Sequence, residues 1–214
     1  VRVISRIAPP VLSIGMACDY TYIVYGSGDV ELEAHGIPQG EFPVLPRIGL
    51  QLTLPDALDQ VSWYGRGPGE SYVDSKLANR VGLYSGSVDD LYVPYVFPQE
   101  NGNRTDVYWV SFTNLRGMGL LACGRPTLNF SAHRFTTEDL ERAQHTSDLV
   151  PRDEITVNLD HMHHGLGSNS CGPRPWPQYH LNPHEFRFAL RLKPFSQDAI
   201  GPMSDSKVVI SQGT

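Results

Sequence analysis

The chain has 214 residues and a formal net charge of -6 at pH 7. This length suits one large domain, which can bury a substantial core without disulfides or metals. The acidic balance excludes nucleic acid and anionic membranes as default partners, since both repel a negative surface. No apolar run approaches the roughly 18 residues that a membrane span requires. The three cysteines cannot all pair with one another, which favours a reducing, cytoplasmic location.

Composition and periodicity predict an all-β protein. The chain holds 20 Gly and 17 Pro, which is typical of many turns and few long helices. Alternating apolar and polar residues, bounded by turn residues, predict nine strands. They cover residues 18–25, 29–34, 47–54, 60–64, 106–112, 119–123, 128–132, 154–160 and 185–192. Only residues 137–145 have a helical pattern, with Thr136 or Thr137 as the N-cap.

The clearest hairpin turns at Gly26-Ser-Gly28. In its second strand, alternation predicts that Leu32 and Ala34 face the core, together with Val30. The same alternation places Glu31 in water.

The first residues, Val1-Arg-Val-Ile-Ser5, are strand-like and include no initiator Met. We therefore expect the chain to be a piece of a longer protein. Within it we expect a single β-sandwich domain over residues 1–214, without its own first strands.

Four segments carry a resemblance to a known family, and they occur in the family's order. They are Ser62-Trp-Tyr-Gly-Arg-Gly-Pro-Gly-Glu-Ser-Tyr72, Tyr92-Val-Pro-Tyr-Val-Phe-Pro-Gln-Glu-Asn-Gly102, Phe130-Ser-Ala-His-Arg-Phe135 and Gly165-Leu-Gly-Ser-Asn-Ser-Cys-Gly172. Together they resemble the C-terminal domain, or small chain, of the β-galactosidases of glycoside hydrolase family 2.

This resemblance implies an all-β, antiparallel supersandwich of the galactose-mutarotase type. It also implies a five-domain parent enzyme that hydrolyses β-galactosides with retention, through two carboxylates in a separate (β/α)8 barrel. The isolated chain is then predicted to be inactive, with no catalytic residue of its own. The remaining domains or a large subunit are the implied partners in an oligomeric enzyme. The Mg2+ and Na+ ions that the family uses are expected chiefly in those other domains.

The loop from Gly165 to Gly172 is the predicted substrate-binding element. In many relatives this loop carries a tryptophan that forms one wall of the sugar pocket. The matching position here is Cys171, and the nearest tryptophan is Trp176. By resemblance, the expected substrate-binding residues are Asn169, Ser170 and Cys171, with His163 orienting the loop.

A second polar segment, residues 100–106, resembles a structural knot that supports loops near the active site. Its expected members are Glu100, Asn101, Arg104 and Asp106, with an ion pair between Glu100 and Arg104. In the preceding glycine-rich turn, Glu70 is expected to anchor the loop by accepting backbone N–H bonds.

Three other interpretations remain open. A metal site at Asp160-His-Met-His-His164 would need further ligands from elsewhere in the chain, and we expect no tightly held transition metal at His161, His163 and His164. A stand-alone sugar mutarotase would need a histidine acid and a glutamate base, for which His133, His163 and Glu100 are the candidates. A carbohydrate-binding module would use exposed aromatic side chains such as Trp63, Trp109 and Trp176.

Overall fold

A computed structural model describes residues 1–167 and 172–209. Its strands are all antiparallel to their partners and form one branched ten-stranded sheet. The strands are β1 (Arg2–Ile7), β2 (Gly15–Val24), β3 (Val30–Gln39), β4 (Arg47–Pro55), β5 (Gln60–Gly67), β6 (Arg80–Ser87), β7 (Arg104–Thr113), β8 (Met118–His133), β9 (Glu154–His163) and β10 (Phe186–Ser196). The α-helices are α1 (Val88–Leu91), α2 (Thr137–Arg142) and α3 (Pro202–Asp205). Short 3-10 helices span Asp56–Leu58, Lys76–Ala78, Thr146–Asp148 and Pro177–Tyr179. The predicted all-β, antiparallel class is confirmed.

The long strand β8 is where the sheet branches. The main path runs β1-β2-β3-β10-β8-β7-β5-β6, while β9 pairs with the far end of β8 and then with β4. Residues 118–125 of β8 pair with β10, and residues 129–133 pair with β9. One 16-residue strand therefore contributes to both arms, and the core lies between them.

The main core is built from side chains of both arms. Trp63 packs against Phe130 with ring centroids 5.7 Å apart in an edge-to-face arrangement, which suits the aromatic quadrupoles. Leu32 and Leu190 come from the β3–β10 side, and Leu159 comes from β9. Burial of these large apolar side chains is the dominant stabilising contribution.

Most sequence-predicted elements are confirmed, with changed bounds. The predicted strands 119–123 and 128–132 are two parts of β8. The predicted helix is α2, where Thr136 is the N-cap and its hydroxyl accepts a hydrogen bond from the backbone N–H of Asp139. Strand β6 was not predicted, because Gly82 and Gly86 interrupt an exposed edge strand.

Two expectations about burial are wrong. Glu31 is buried rather than in water, because Tyr25 donates a hydrogen bond to its carboxylate and Arg125 pairs with it. Trp63 and Trp109 are core residues, 2% and 1% exposed, and so cannot serve as surface sugar platforms.

Within the described residues, no helix is long and apolar enough to cross a membrane.

Candidate functional site

Strands β4 and β9 bring three charged or titratable side chains together. Arg47 at the start of β4 pairs with His163 at the end of β9, and Gly49 pairs with Asp160. The register shifts between Ile48 and Gly49, which turns the start of β4 relative to the rest of the ladder. Gly49 is required there, since a Cβ would lie 2.1 Å from Oδ1 of Asp160.

We call Arg47, Glu100, Asp160 and His163 the ionic cluster. Nη2 of Arg47 lies 2.9 Å from Oε1 of Glu100, and Nε lies 3.6 Å from Oδ2 of Asp160. Nε2 of His163 is 3.8 Å from the same Glu100 oxygen. Glu100 comes from the loop before β7, so the cluster links three segments that are distant in sequence.

Burial changes the acid–base behaviour of the ionic cluster. Desolvation raises the pKa of Asp160 to about 7, although Arg47 acts in the opposite direction. Desolvation also raises the pKa of Glu100, again against the influence of Arg47. The pKa of His163 is lowered to about 4 because its buried ring resists taking a charge.

His163 is therefore neutral at pH 7, and its tautomer follows from its contacts. Nδ1 lies 2.7 Å from the backbone carbonyl of His164, so Nδ1–H donates and Nε2 carries the lone pair facing Glu100. Arg47 faces both carboxylates of the ionic cluster, and the raised pKa of Asp160 favours the protonated form of this side chain more than in an exposed aspartate.

A cavity of about 530 Å³ opens beside the ionic cluster. Both carboxylate oxygens of Asp160 are buried without a hydrogen-bond partner, whereas Oε1 of Glu100 and Nη2 of Arg47 have each other. Gln51 and Asn158 add amide groups to the lining, and Leu50 adds an apolar surface. Buried polar atoms are normally satisfied, so this lining suits a polar, hydroxyl-bearing group.

Strand β9 ends beside this cavity, and the predicted substrate-binding loop begins directly after it, at Gly165. The backbone N–H of Gly167 donates to Oδ2 of Asp74 at 2.7 Å, and the N–H of Gly165 donates to the carbonyl of Tyr179 at 3.1 Å. Asn169, Ser170 and Cys171 lie outside the described residues, so their predicted role in substrate binding stays a prediction.

The segment 100–106 contains the predicted polar knot, but with different partners. The guanidinium of Arg104 is buried and donates to the carbonyls of Leu91, Gly102 and Pro68 at 3.0, 2.6 and 3.0 Å. It also lies 5.5 Å from the centre of the Trp63 ring. The expected pair between Glu100 and Arg104 is wrong, because Glu100 pairs with Arg47 instead.

Asn101 and Asp106 also make contacts within this knot. Oδ1 of Asn101 accepts from the backbone N–H of Val93 at 3.0 Å, and the backbone carbonyl of Asn101 accepts from Nε2 of His133 at 2.9 Å. Asp106 pairs with Arg66 at 2.6 Å and with Lys76 at 3.0 Å. Among the four knot residues, only Glu100 lines the cavity.

Glu70 has the anchoring role expected from the sequence. Its Oε2 accepts the backbone N–H of Gly102 at 2.8 Å, and Tyr95 donates to its other oxygen. The glycine-rich turn is thereby joined to the polar knot.

The histidines do not converge on a metal site in the part of the chain that the structure describes. There, no three His, Cys, Asp or Glu side chains are grouped so that they could hold a metal ion. His161 packs between Phe186 and Phe188, with centroids 5.9 and 5.5 Å away, whereas His163 contacts Tyr72 at 5.2 Å.

Sequence reasoning missed Arg47 and Asp74. Arg47 was read only as the start of a strand, and Asp74 lies in a segment where no strand or helix was predicted. The motif Leu45-Pro-Arg-Ile-Gly49 held a signal, because a glycine within an otherwise apolar strand often marks a bulge or a close backbone approach.

A model of the family described as β-galactosidase small chain matches residues 1–192. The chain belongs to this β-galactosidase small-chain family. Its membership confirms the resemblance carried by the four motifs.

Curated β-galactosidases are similar to this family member over most of its length. The chain is 37% identical over 166 residues to the β-galactosidase of Priestia megaterium, covering 77% of this chain and 16% of that protein. It is 36% identical to the Vibrio cholerae enzyme, covering 85% of this chain and 17% of the relative. It is 34% identical to the Kluyveromyces lactis enzyme, covering 90% of this chain and 19% of the relative. The small-chain sequence thus spans less than a fifth of these relatives.

Proposed function

We propose that this chain is the domain of a β-galactosidase that completes the active-site pocket and supports assembly of the enzyme. The parent enzyme hydrolyses terminal β-D-galactosides with retention, using two carboxylates outside this chain. Family membership and the naming of the relatives support the activity. In the described residues, an antiparallel sheet offers no barrel of alternating strands and helices for those carboxylates.

One observation supports the proposed role of this chain in the active-site pocket. In the ionic cluster, the two carboxylate oxygens of Asp160 are buried without hydrogen-bond partners beside a cavity, and β9 continues from that cavity into the loop at Gly165. These unsatisfied oxygens support the proposal that a sugar hydroxyl, or a loop that holds one, binds here. Asn169, Ser170 and Cys171 are proposed to contact the sugar from that loop, with His163 fixing its base.

The complementation experiment tests the proposed activity. Hydrolysis of o-nitrophenyl β-galactoside is measured for the chain alone and after the remaining enzyme domains are added. We expect no turnover by the chain alone and turnover by the complete enzyme. Turnover by the repurified chain that depends on one of its own residues would contradict the proposal.

The loop's contribution is tested in the complete enzyme. Cys171→Trp is expected to lower KM for galactosides by about threefold to tenfold, because an aromatic contact contributes roughly 0.5–1.5 kcal/mol beyond its burial. The pH optimum should not change, since Cys171 supplies no proton. Kinetics indifferent to Cys171→Trp, Cys171→Ala and Asn169→Ala alike would exclude contact between the loop and the substrate.

A further inference from the structure

The three tryptophans differ sharply in exposure. Trp63 and Trp109 are core residues, whereas Trp176 is 69% exposed. Exposure alone is common for single apolar residues and carries no function. The surroundings of Trp176 must therefore decide whether it is a binding residue.

The backbone that carries Trp176 is held firmly. Pro175 and Pro177 flank it, and proline restricts φ on both sides. The Trp176 carbonyl accepts the N–H of Tyr179 at 2.8 Å, and Nε2 of His180 donates to the Pro175 carbonyl at 3.0 Å. A preorganised backbone reduces the freedom that is lost when a ligand binds.

This segment is also tied to the end of β9. The carbonyl of Tyr179 accepts the N–H of Gly165 at 3.1 Å, and Nδ1 of His164 accepts the N–H of Leu181 at 3.1 Å. The ring centroids of His164 and His180 lie 5.2 Å apart. The position of Trp176 is therefore fixed relative to the ionic cluster.

A cavity of about 310 Å³ lies beside the Trp176 side chain. This is near the lower end of ligand pockets, roughly 300–1,000 Å³, and suits one small ring. Its polar lining comes from Asp74, Arg174 and Gln178, while Tyr179 adds a second aromatic residue. The cavity is separate from that of the ionic cluster, since the two share no lining residue.

The lining chemistry selects among ligand classes. The charges of Asp74 and Arg174 offset each other, so neither an anion nor a cation is favoured. A neutral ligand with one apolar face and hydroxyl groups at its edge matches an indole face beside carboxylate, guanidinium and amide groups. A pyranose ring has this shape, because its C–H groups can pack on an aromatic face while its hydroxyls hydrogen-bond.

We propose that the cavity beside Trp176 is a subsite for a pyranose ring of the substrate, with the indole as its stacking surface. The identity of the sugar rests on the proposed function, whereas the site itself rests on the geometry above. Trp176 would then provide the aromatic surface, although the position that matches the tryptophan of many relatives is Cys171.

Tryptophan fluorescence provides the first test, with galactose and lactose as probes of the 214-residue chain. Because Trp63 and Trp109 are buried, iodide should quench mainly Trp176, and bound sugar should protect it. Lactose protecting better than galactose would show that the subsite takes the second ring, and equal protection would show that one ring suffices. No protection by either sugar would overturn the proposal.

Variants provide the second test, in the complete enzyme. Trp176→Ala should raise KM for lactose by about threefold to tenfold with kcat unchanged, while Trp176→Phe should retain most of the affinity. Leu115→Ala, at another exposed apolar side chain, is the matched control and should change neither parameter. Altered subunit assembly of Trp176→Ala with unchanged KM would assign the surface to an interface and overturn the subsite. If Trp176 binds sugar but the complete enzyme hydrolyses no β-galactoside, the proposed function fails while the subsite stands.

Discussion

At the residue scale, a few buried polar side chains determine how the loops are held. Arg104 is 3% exposed, and its guanidinium binds three carbonyls from separate loop segments. A planar fork with five donors suits this task better than an ammonium group. The sequence indicated that Arg104 was structural, but its partners depend on which loops fold against it, and that information is not local.

Arg104→Met is expected to destabilise the chain by about 3–5 kcal/mol, because three buried carbonyls lose their donor. Arg104→Lys keeps the charge but cannot reach all three carbonyls, so its loss should be smaller. Urea unfolding followed by circular dichroism measures both variants. An Arg104→Met protein as stable as the wild type would show that the carbonyls find other donors.

At the scale of elements, alternation along each strand predicted where the strands lie in the sequence better than it predicted which strands pair. The strand containing Phe188 and Leu190 was evident, since its apolar residues alternate with polar ones, and both are core residues. The edge strand β6 has no such pattern because much of it faces solvent. The pairing of β10 between β3 and β8 could not be read from periodicity, which specifies a face and not a neighbour.

Glycine positions offer a test at this scale. A Cβ on Gly119 in β8 would lie 1.9 Å from the carbonyl oxygen of Phe112 in β7, so the two strands must separate. Gly119→Ala should therefore lower the unfolding free energy by at least about 2 kcal/mol. Gly26→Ala is the control, since a Cβ there meets nothing within 4 Å, and its effect should stay within about 0.5 kcal/mol. Equal stability of the two variants would contradict the β7–β8 contact.

At the scale of the whole molecule, the candidate site combines what the sequence could and could not predict. His163, Glu100 and the loop at Gly165 were singled out from motifs. Arg47 was not, because it meets His163 and Asp160 only through the pairing of β4 with β9, and these strands are about a hundred residues apart. Long-range pairing of this kind also places the four groups in a desolvated position, which sets the pH dependence of stability.

Two aspartates should affect that pH dependence with opposite signs. Asp160 has a pKa of 3.8 when unfolded and about 7 when folded, so between pH 4 and 7 the folded state binds the extra proton and stability falls as pH rises. Asp139 has its pKa lowered, first by its hydrogen bond with Arg152, so it stabilises the fold above pH 4 and less as pH falls further. The slope from one proton is at most about 1.4 kcal/mol per pH unit.

Thermal unfolding from pH 3 to 8 checks this expectation. Relative to the wild type, Asp160→Asn should gain stability as pH rises from 4 to 7, and Asp139→Asn should lose its disadvantage below pH 4. The variants are compared with the wild type because Glu100 and His163 also titrate, in opposing directions. Parallel pH profiles for wild type and Asp160→Asn would show that Asp160 is hydrated rather than buried.

The central place of β10 also has a consequence for synthesis on the ribosome. Strands β1 to β3 are made first, yet β10, made last of all the strands, pairs with β3 and joins it to β8. At 5–20 residues per second, the emerging β3 waits roughly 10–30 s for β10. During that interval the edge of β3 is an open template for any other extended chain. Within the described sheet, the last strand to be synthesised is thus the one that closes this edge.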